Sequence, residues 1–283
     1  MNPRSNALRQ GLSRGWSEFK ITLRSADEVG FNVFFVASFC IVLFFQRDTM
    51  VEGTSQTLAS VVLPSIIGMM VAFSGMVGAA ASLSVEREDG TLLRAKATPH
   101  GMIGYLIAKV TSLSLTTMAS TLLLLMAGTL LVADLNVSVS GMIMLLGVLL
   151  LGLVATLPLG AIIGSLVKNP QNAGGLTMLP VGGLAAISGI FYPISALPDW
   201  VQAIAQVFPI YWLGLGVRSA LLPESAVVAE IGESWRHLEM VAVLGGWAVV
   251  GLLLAPPVLR RMAQRESGSA MEERRQRAMQ RVS

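Results

Sequence analysis

Six stretches of this chain contain no Asp, Glu, Lys or Arg over lengths that match a membrane crossing. They cover residues 29–45, 53–85, 110–133, 135–167, 169–198 and 240–259, running for 17, 33, 24, 33, 30 and 20 residues. An α-helix rises 1.5 Å per residue, so about 20 apolar residues cross a hydrocarbon core roughly 30 Å thick. Backbone polar groups in hydrocarbon must be paired internally, which a helix does within one segment. Composition agrees: 13% of the residues are charged, against about 25% in soluble domains. These runs predict an all-α polytopic membrane protein with six transmembrane helices, the second near 58–82.

Charge placement sets the orientation. With six crossings, 17 of the 20 Lys and Arg fall on one side, in the N-terminal segment, the loop after span two, the foot of span three, Lys168 and the tail. Only Arg47, Arg218 and Arg236 fall on the other side. Cytoplasmic loops carry the basic excess, so both termini are expected inside the cytoplasmic membrane. Residues 1–28 have five basic residues and no continuous apolar core, so no cleavable signal is expected and the first span directs insertion. A seventh uncharged run, 200–217, would place the seven-arginine tail outside if it crossed. It contains Gln202, Gln206 and Pro209 with the aromatics Trp200, Tyr211 and Trp212. It reads as a re-entrant or interfacial segment on the outer side, after span five.

Leu8, Leu12, Trp16, Phe19 and Leu23 recur at helical steps, with Arg9, Arg14, Glu18 and Lys20 mostly off that face. This predicts an amphipathic helix along the inner leaflet; packing on a soluble partner is the alternative. The organisation expected is an interface segment over 1–28, a six-helix domain over 29–259 and a charged cytoplasmic tail over 260–283. No internal repeat is evident, unlike many ion-coupled carriers.

The chemistry the chain can host is limited. No Gly–Lys pair occurs, so it cannot form a nucleotide-cradling P-loop. His-Glu-x-x-His is also absent, and no catalytic residue is expected. His100, His237 and Cys40 lie far apart in sequence, so no metal site is expected. The basic excess follows topology, and nucleic acid is not an expected partner. Lys109 lies at the foot of span three, with its ammonium expected to snorkel to the interface. The spans contain no carboxylate, which argues against proton or sodium coupling within the bilayer. The glycines at 160, 164, 174, 175, 182 and 183 read as helix-packing positions, and Pro64, Pro158 and Pro180 as kink sites. Met69, Met70 and Met76 read as a soft helix interface. The substrate-contacting residues are unknown at this level.

One interior stretch stands out. Residues 86–96 hold six charges between two of the most apolar runs. Asp89-Gly90 is a turn signal, Thr91 can cap a helix, and Pro99 disfavours helix at Thr98. The segment reads as a two-turn helix across the cytoplasmic mouth. Its charges, Glu86, Arg87, Glu88, Asp89 and Arg94, are expected to be exposed, with Leu92 and Leu93 free to enter a partner's pocket.

The stretch "EREDGTLLRAKATP", residues 86–99, resembles a segment of ABC-2 type permeases, the membrane halves of ABC exporters. Residues 188–213, "SGIFYPISALPDWVQAIAQVFPIYWL", are similar to that family's signature after span five. The chain departs from the family pattern at Leu93, where Glu is frequent. The resemblance implies that residues 86–99 form a cytoplasmic coupling helix between spans two and three, docking a separate ATPase chain that holds ATP and Mg. It implies an interface helix at residues 8–23 and a second permease chain, identical or a paralogue. It also implies an outer re-entrant cap carrying Phe191, Tyr192, Pro193, Pro198, Trp200, Pro209 and Trp212. Export of drugs or other hydrophobic compounds is the function implied, with lipid or polysaccharide export as the runner-up. A non-transport membrane scaffold is the reading from a different class.

Overall fold

The computed structural model describes residues 3–51, 56–98, 101–132, 135, 138–167 and 170–265. Helix α1 (Pro3–Arg24) and helix α2 (Ala26–Gln46) are separated by Ser25 alone. The Ser25 hydroxyl accepts the Glu28 N–H and caps α2, satisfying one of the orphan donors of a helix start. The second apolar run forms a single rod. Helix α3 (Leu58–Phe73) begins on a Thr57 cap, passes through a π-helical turn at Ser74–Gly78, and continues as α4 (Ala79–Glu88).

After α4 comes the short helix α5 (Thr91–Lys96). Then follow α6 (Gly101–Thr129), α7 (Val139–Leu166) and α8 (Pro170–Ile187). Helices α9 (Asp199–Val207), α10 (Pro209–Leu221) and α11 (His237–Arg265) complete the chain. No strand occurs among the described residues.

Every uncharged run contains a helix, but the crossings do not all match expectation. Among the described residues five helices are long and apolar enough to span a bilayer, and α9 with α10 makes a sixth only if a pair bent by 89° is one span. The expected fifth crossing, 169–198, is the one that falls short. Its apolar helix covers Gly174–Ile187, about 21 Å at helical rise. It ends at Ser188, where the chain turns through Gly189 at φ +65, a left-handed conformation that suits glycine.

Helix α3 lies at the centre, with every residue from Ala59 to Ala72 buried. Helices α2, α6, α7 and α10 surround it. Small residues permit the closest approaches: a Cβ on Gly68 would sit 2.6 Å from the Gly214 amide nitrogen of α10. Gly164 likewise meets Ala80. Gly174, Gly175, Gly182 and Gly183 of α8 instead face open space, so the packing expected for them does not occur within one chain. Pro64, Pro158 and Pro180 all lie inside continuous helices. A second, smaller core closes the end of the bundle at α5, where Leu83, Leu92, Tyr105, Ala255, Leu259 and Met262 meet.

Candidate functional site

The charged segment after α4 is built inward as much as outward. Asp89 ends α4, and its carboxylate accepts the Thr91 N–H at 2.8 Å to start α5. The cap residue is therefore Asp89; the Thr91 hydroxyl instead accepts from the Arg94 guanidinium at 3.0 Å. Gly90 turns the corner at φ +75, where a side chain would be strained. The Thr98 N–H and hydroxyl both bond back to the Ala95 carbonyl.

Four residues differ from the exposed docking surface expected of them. Glu86 points into the bundle, 2.5 Å from the Lys109 ammonium, and accepts a hydrogen bond from the Tyr105 hydroxyl. Arg87 donates to the Val167 carbonyl at 2.9 Å and to the Gly164 carbonyl at 3.4 Å, filling the open carbonyl end of α7. Leu92 is 2% exposed within the inner core. Thr91 is half-buried. The reason is local: a two-turn helix pressed against α6 and α11 has one apolar face to bury, and Leu92 and Ala95 occupy it. Asp89 and Arg94 do face outward. The side chains of Glu88 and Leu93, and Pro99 as a whole, lie outside the described residues.

Lys109 does not snorkel alone as expected. It bridges Glu86 and, at 3.7 Å, Glu18 of α1, which also accepts from Arg14 at 2.8 Å. Arg14, Glu18, Lys109 and Glu86 thus alternate in sign across α1, α6 and α4. Two cations balance two anions, so the partly buried cluster has no net charge to desolvate.

Helix α1 packs along α6 by a face that sequence periodicity missed. Ala7, Gly11, Gly15 and Phe19 are buried, whereas Leu8, Leu12, Trp16 and Leu23 are about half exposed. A Cβ on Gly11 would lie 2.7 Å from the Gly104 carbonyl, and one on Gly15 would lie 2.6 Å from that of Ala108. The signal was a glycine four residues after another, which looks like helix weakness unless a partner helix is known.

At the opposite end, the α9–α10 corner turns at Phe208, and Pro209 opens α10 where its missing N–H costs nothing. The carbonyls this break releases are taken by indoles: Trp212 donates to Gln206 and Trp247 to Val207. Trp212 is buried and Trp200 exposed. Phe191 packs on the main core, the Tyr192 hydroxyl bonds the Ala186 carbonyl, and Pro193 and Pro198 precede the next two helical turns.

Sequence reasoning placed Arg218 only by side and missed its role. It is 2% exposed, with its guanidinium forked onto Glu230 at 2.5 and 3.1 Å. It also donates to the Ser65 hydroxyl at 2.7 Å and approaches the Gly189 carbonyl at 3.5 Å. A lone arginine inside the apolar run 213–222 was the available signal. Its partners lie on three other segments, and nothing in the sequence marks them.

Two sequence comparisons bear on this arrangement. No curated protein matches the chain. A family model described as "ABC-2 family transporter protein" matches residues 24–255, which takes in α2 through most of α11. The chain therefore belongs to the ABC-2 transporter family and is a multi-pass membrane permease.

Proposed function

We propose that this permease is the membrane half of an ATP-driven exporter of drugs or other hydrophobic compounds. A separate ATPase chain holds ATP and Mg, and a second permease chain completes the pathway in the cytoplasmic membrane. In this reading both termini are cytoplasmic, α8 makes the fifth of six crossings, and α9–α10 is an outer re-entrant cap. Helix α1 lies along the inner leaflet with Leu8, Leu12, Trp16 and Leu23 toward lipid.

The observation that carries the proposal is the α4–α5 junction in a chain of this family. A two-turn helix hangs on the end of a rod running through the bundle centre, and three contacts fix that junction. Glu86 joins it to α6, Arg87 to the end of α7, and Leu92 to α11. A push on α5 from the cytoplasm therefore reaches three helices at once. Asp89 and Arg94 remain outward for the docked motor.

The test is co-purification of the tagged chain from native membranes in mild detergent. A soluble P-loop chain should accompany it at one copy per permease. Asp89→Asn keeps the helix cap while removing the charge; combined with Arg94→Glu, it should release that chain without loss of thermal stability. Repeated recovery of the permease without any ATPase would refute the exporter reading and favour a scaffold.

A further inference from the structure

We propose that the cleft between α6 and α11 binds one acyl chain of a membrane phospholipid, admitted sideways from the bilayer. The inference rests on the membrane assignment of the fold and goes beyond the exporter reading, because it concerns a site within one permease chain.

The cleft has a volume of about 150 Å³. Its floor is α4 and α7, where Ala79 and Leu83 are 6% and 4% exposed. Its rim is Val110 of α6 and Leu252 of α11, which are 44% and 55% exposed. Helix α6 leans mainly on α1, and α11 on α7, which leaves the space between α6 and α11 unfilled. Above the cleft α11 and α7 close up: a Cβ on Gly251 would lie 2.9 Å from the Pro158 ring.

The wall is hydrocarbon apart from Tyr105 and Lys109 at one end. An apolar cavity of this size stays dry and takes up small hydrocarbons. Water is therefore not its natural content. Its extent from Leu252 to Leu259 is about 10 Å along the helix axis, suited to a run of methylenes lying parallel to the helices. The rim residues Val110 and Leu252 are exposed on two helices long and apolar enough to cross a bilayer, so the nearest hydrocarbon is the bilayer itself.

The polar end also fits a phospholipid. Lys109 faces Glu86 and Glu18, Tyr105 faces Glu86, and Arg14 faces Glu18. These charges balance, so this end suits the glycerol and ester level of a lipid without selecting the charge of its headgroup.

Photolabelling decides the question without requiring an ATPase. The full chain would be placed in vesicles of phosphatidylethanolamine and phosphatidylglycerol, doped with phosphatidylcholine bearing a diazirine midway along one acyl chain. After irradiation, adducts are mapped by peptide mass spectrometry. Adducts are expected on the floor residues Ala79 or Leu83, which annular lipid cannot reach. They should saturate as the probe fraction rises, whereas rim adducts at Val110 and Leu252 should rise in proportion. Ala161→Phe, which fills the cleft, should reduce floor labelling at least tenfold and spare the rim.

Labelling of the rim alone would overturn the proposal, because it describes only the lipid annulus. So would floor labelling that never saturates, a reading that needs no variant to fold. Floor labelling unchanged in a well-folded Ala161→Phe protein would do the same. A negative result leaves the exporter reading intact, and a missing ATPase leaves this site intact.

Discussion

The Arg218–Glu230 pair allows a sharp test of what holds the α9–α10 end of the bundle together. Both side chains are nearly inaccessible, at 2% and 6% exposure, and the guanidinium forks onto both carboxylate oxygens. Removing one partner of a buried pair leaves the other charge without compensation, which costs about 3–5 kcal/mol. Replacing both with apolar residues of similar volume is often close to neutral. Arg218→Met should therefore destabilise strongly, and Arg218→Met with Glu230→Leu should recover most of the loss. The recovery should be incomplete, because the Ser65 hydroxyl loses a donor in both variants. Ser65 can still donate to the Val61 carbonyl, so the residual cost is about 1 kcal/mol. Arg218→Lys keeps the charge but loses the fork, and should fall between the two. The assay is thermal unfolding of the purified chain in detergent, followed by tryptophan fluorescence. At about 2–4 °C per kcal/mol, the single variant should melt at least about 6 °C lower. A shift within 1 °C for Arg218→Met, or a double variant no better than the single, would refute the reasoning.

Three further predictions address the inner end. Lys109→Met takes the ammonium away from Glu86 and leaves the Tyr105 hydroxyl donating to it; the Lys109 and Glu86 side chains are 19% and 12% exposed. Solvent screening limits the cost to about 1–2 kcal/mol, and adding Glu86→Gln should return part of it in the same melting assay. Gly15→Leu places a side chain where the Ala108 carbonyl lies 2.6 Å from the new Cβ; α1 should lift from α6, and trypsin should cut at Lys20 or Arg24 at least tenfold faster. Leu12→Ala, on the exposed face, should leave the cleavage rate unchanged. A reporter enzyme fused after Ser283 should be active only in its cytoplasmic form, and an extracellular signal would make α9 and α10 a true crossing.

The membrane class and most of the helices were legible in the sequence because lipid enforces one simple rule, the exclusion of charge over a fixed length. The α9–α10 break was legible for the same reason: Gln202, Gln206 and Pro209 are out of place in a crossing. What escaped was pairing between distant segments. Gly11 and Gly15 have no apolar side chain, so periodicity marked the face of Leu8, Leu12 and Trp16 and gave no sign that the glycines are what meet α6. Glu86 and Arg87 looked like surface charge because their partners, Lys109 and the last carbonyls of α7, are brought near only by the fold. Arg218 was legible as an anomaly but not as a pair, since Ser65 lies 153 residues away.

These distant pairings bear directly on how motion could pass through the chain. Helices α3 and α4 form one rod through the bundle, and polar contacts hold it toward both ends. Ser65 receives Arg218 toward the α9–α10 end, while Glu86 and Arg87 grip α6 and α7 at the α5 end. Between them the rod is mostly apolar, with Gly68, Gly75 and Gly78, and is interrupted by the π turn at Ser74–Gly78, where the Ser74 hydroxyl pairs with that of Thr117. Such a turn interrupts the regular i→i−4 ladder of an α-helix and is one of the features at which helices kink. A rod gripped at two places bends most readily where that ladder is interrupted. Displacement of α5 should therefore be absorbed or relayed at Ser74–Gly78, so this turn, rather than Pro64, is where stiffening the helix should alter coupling between the two faces.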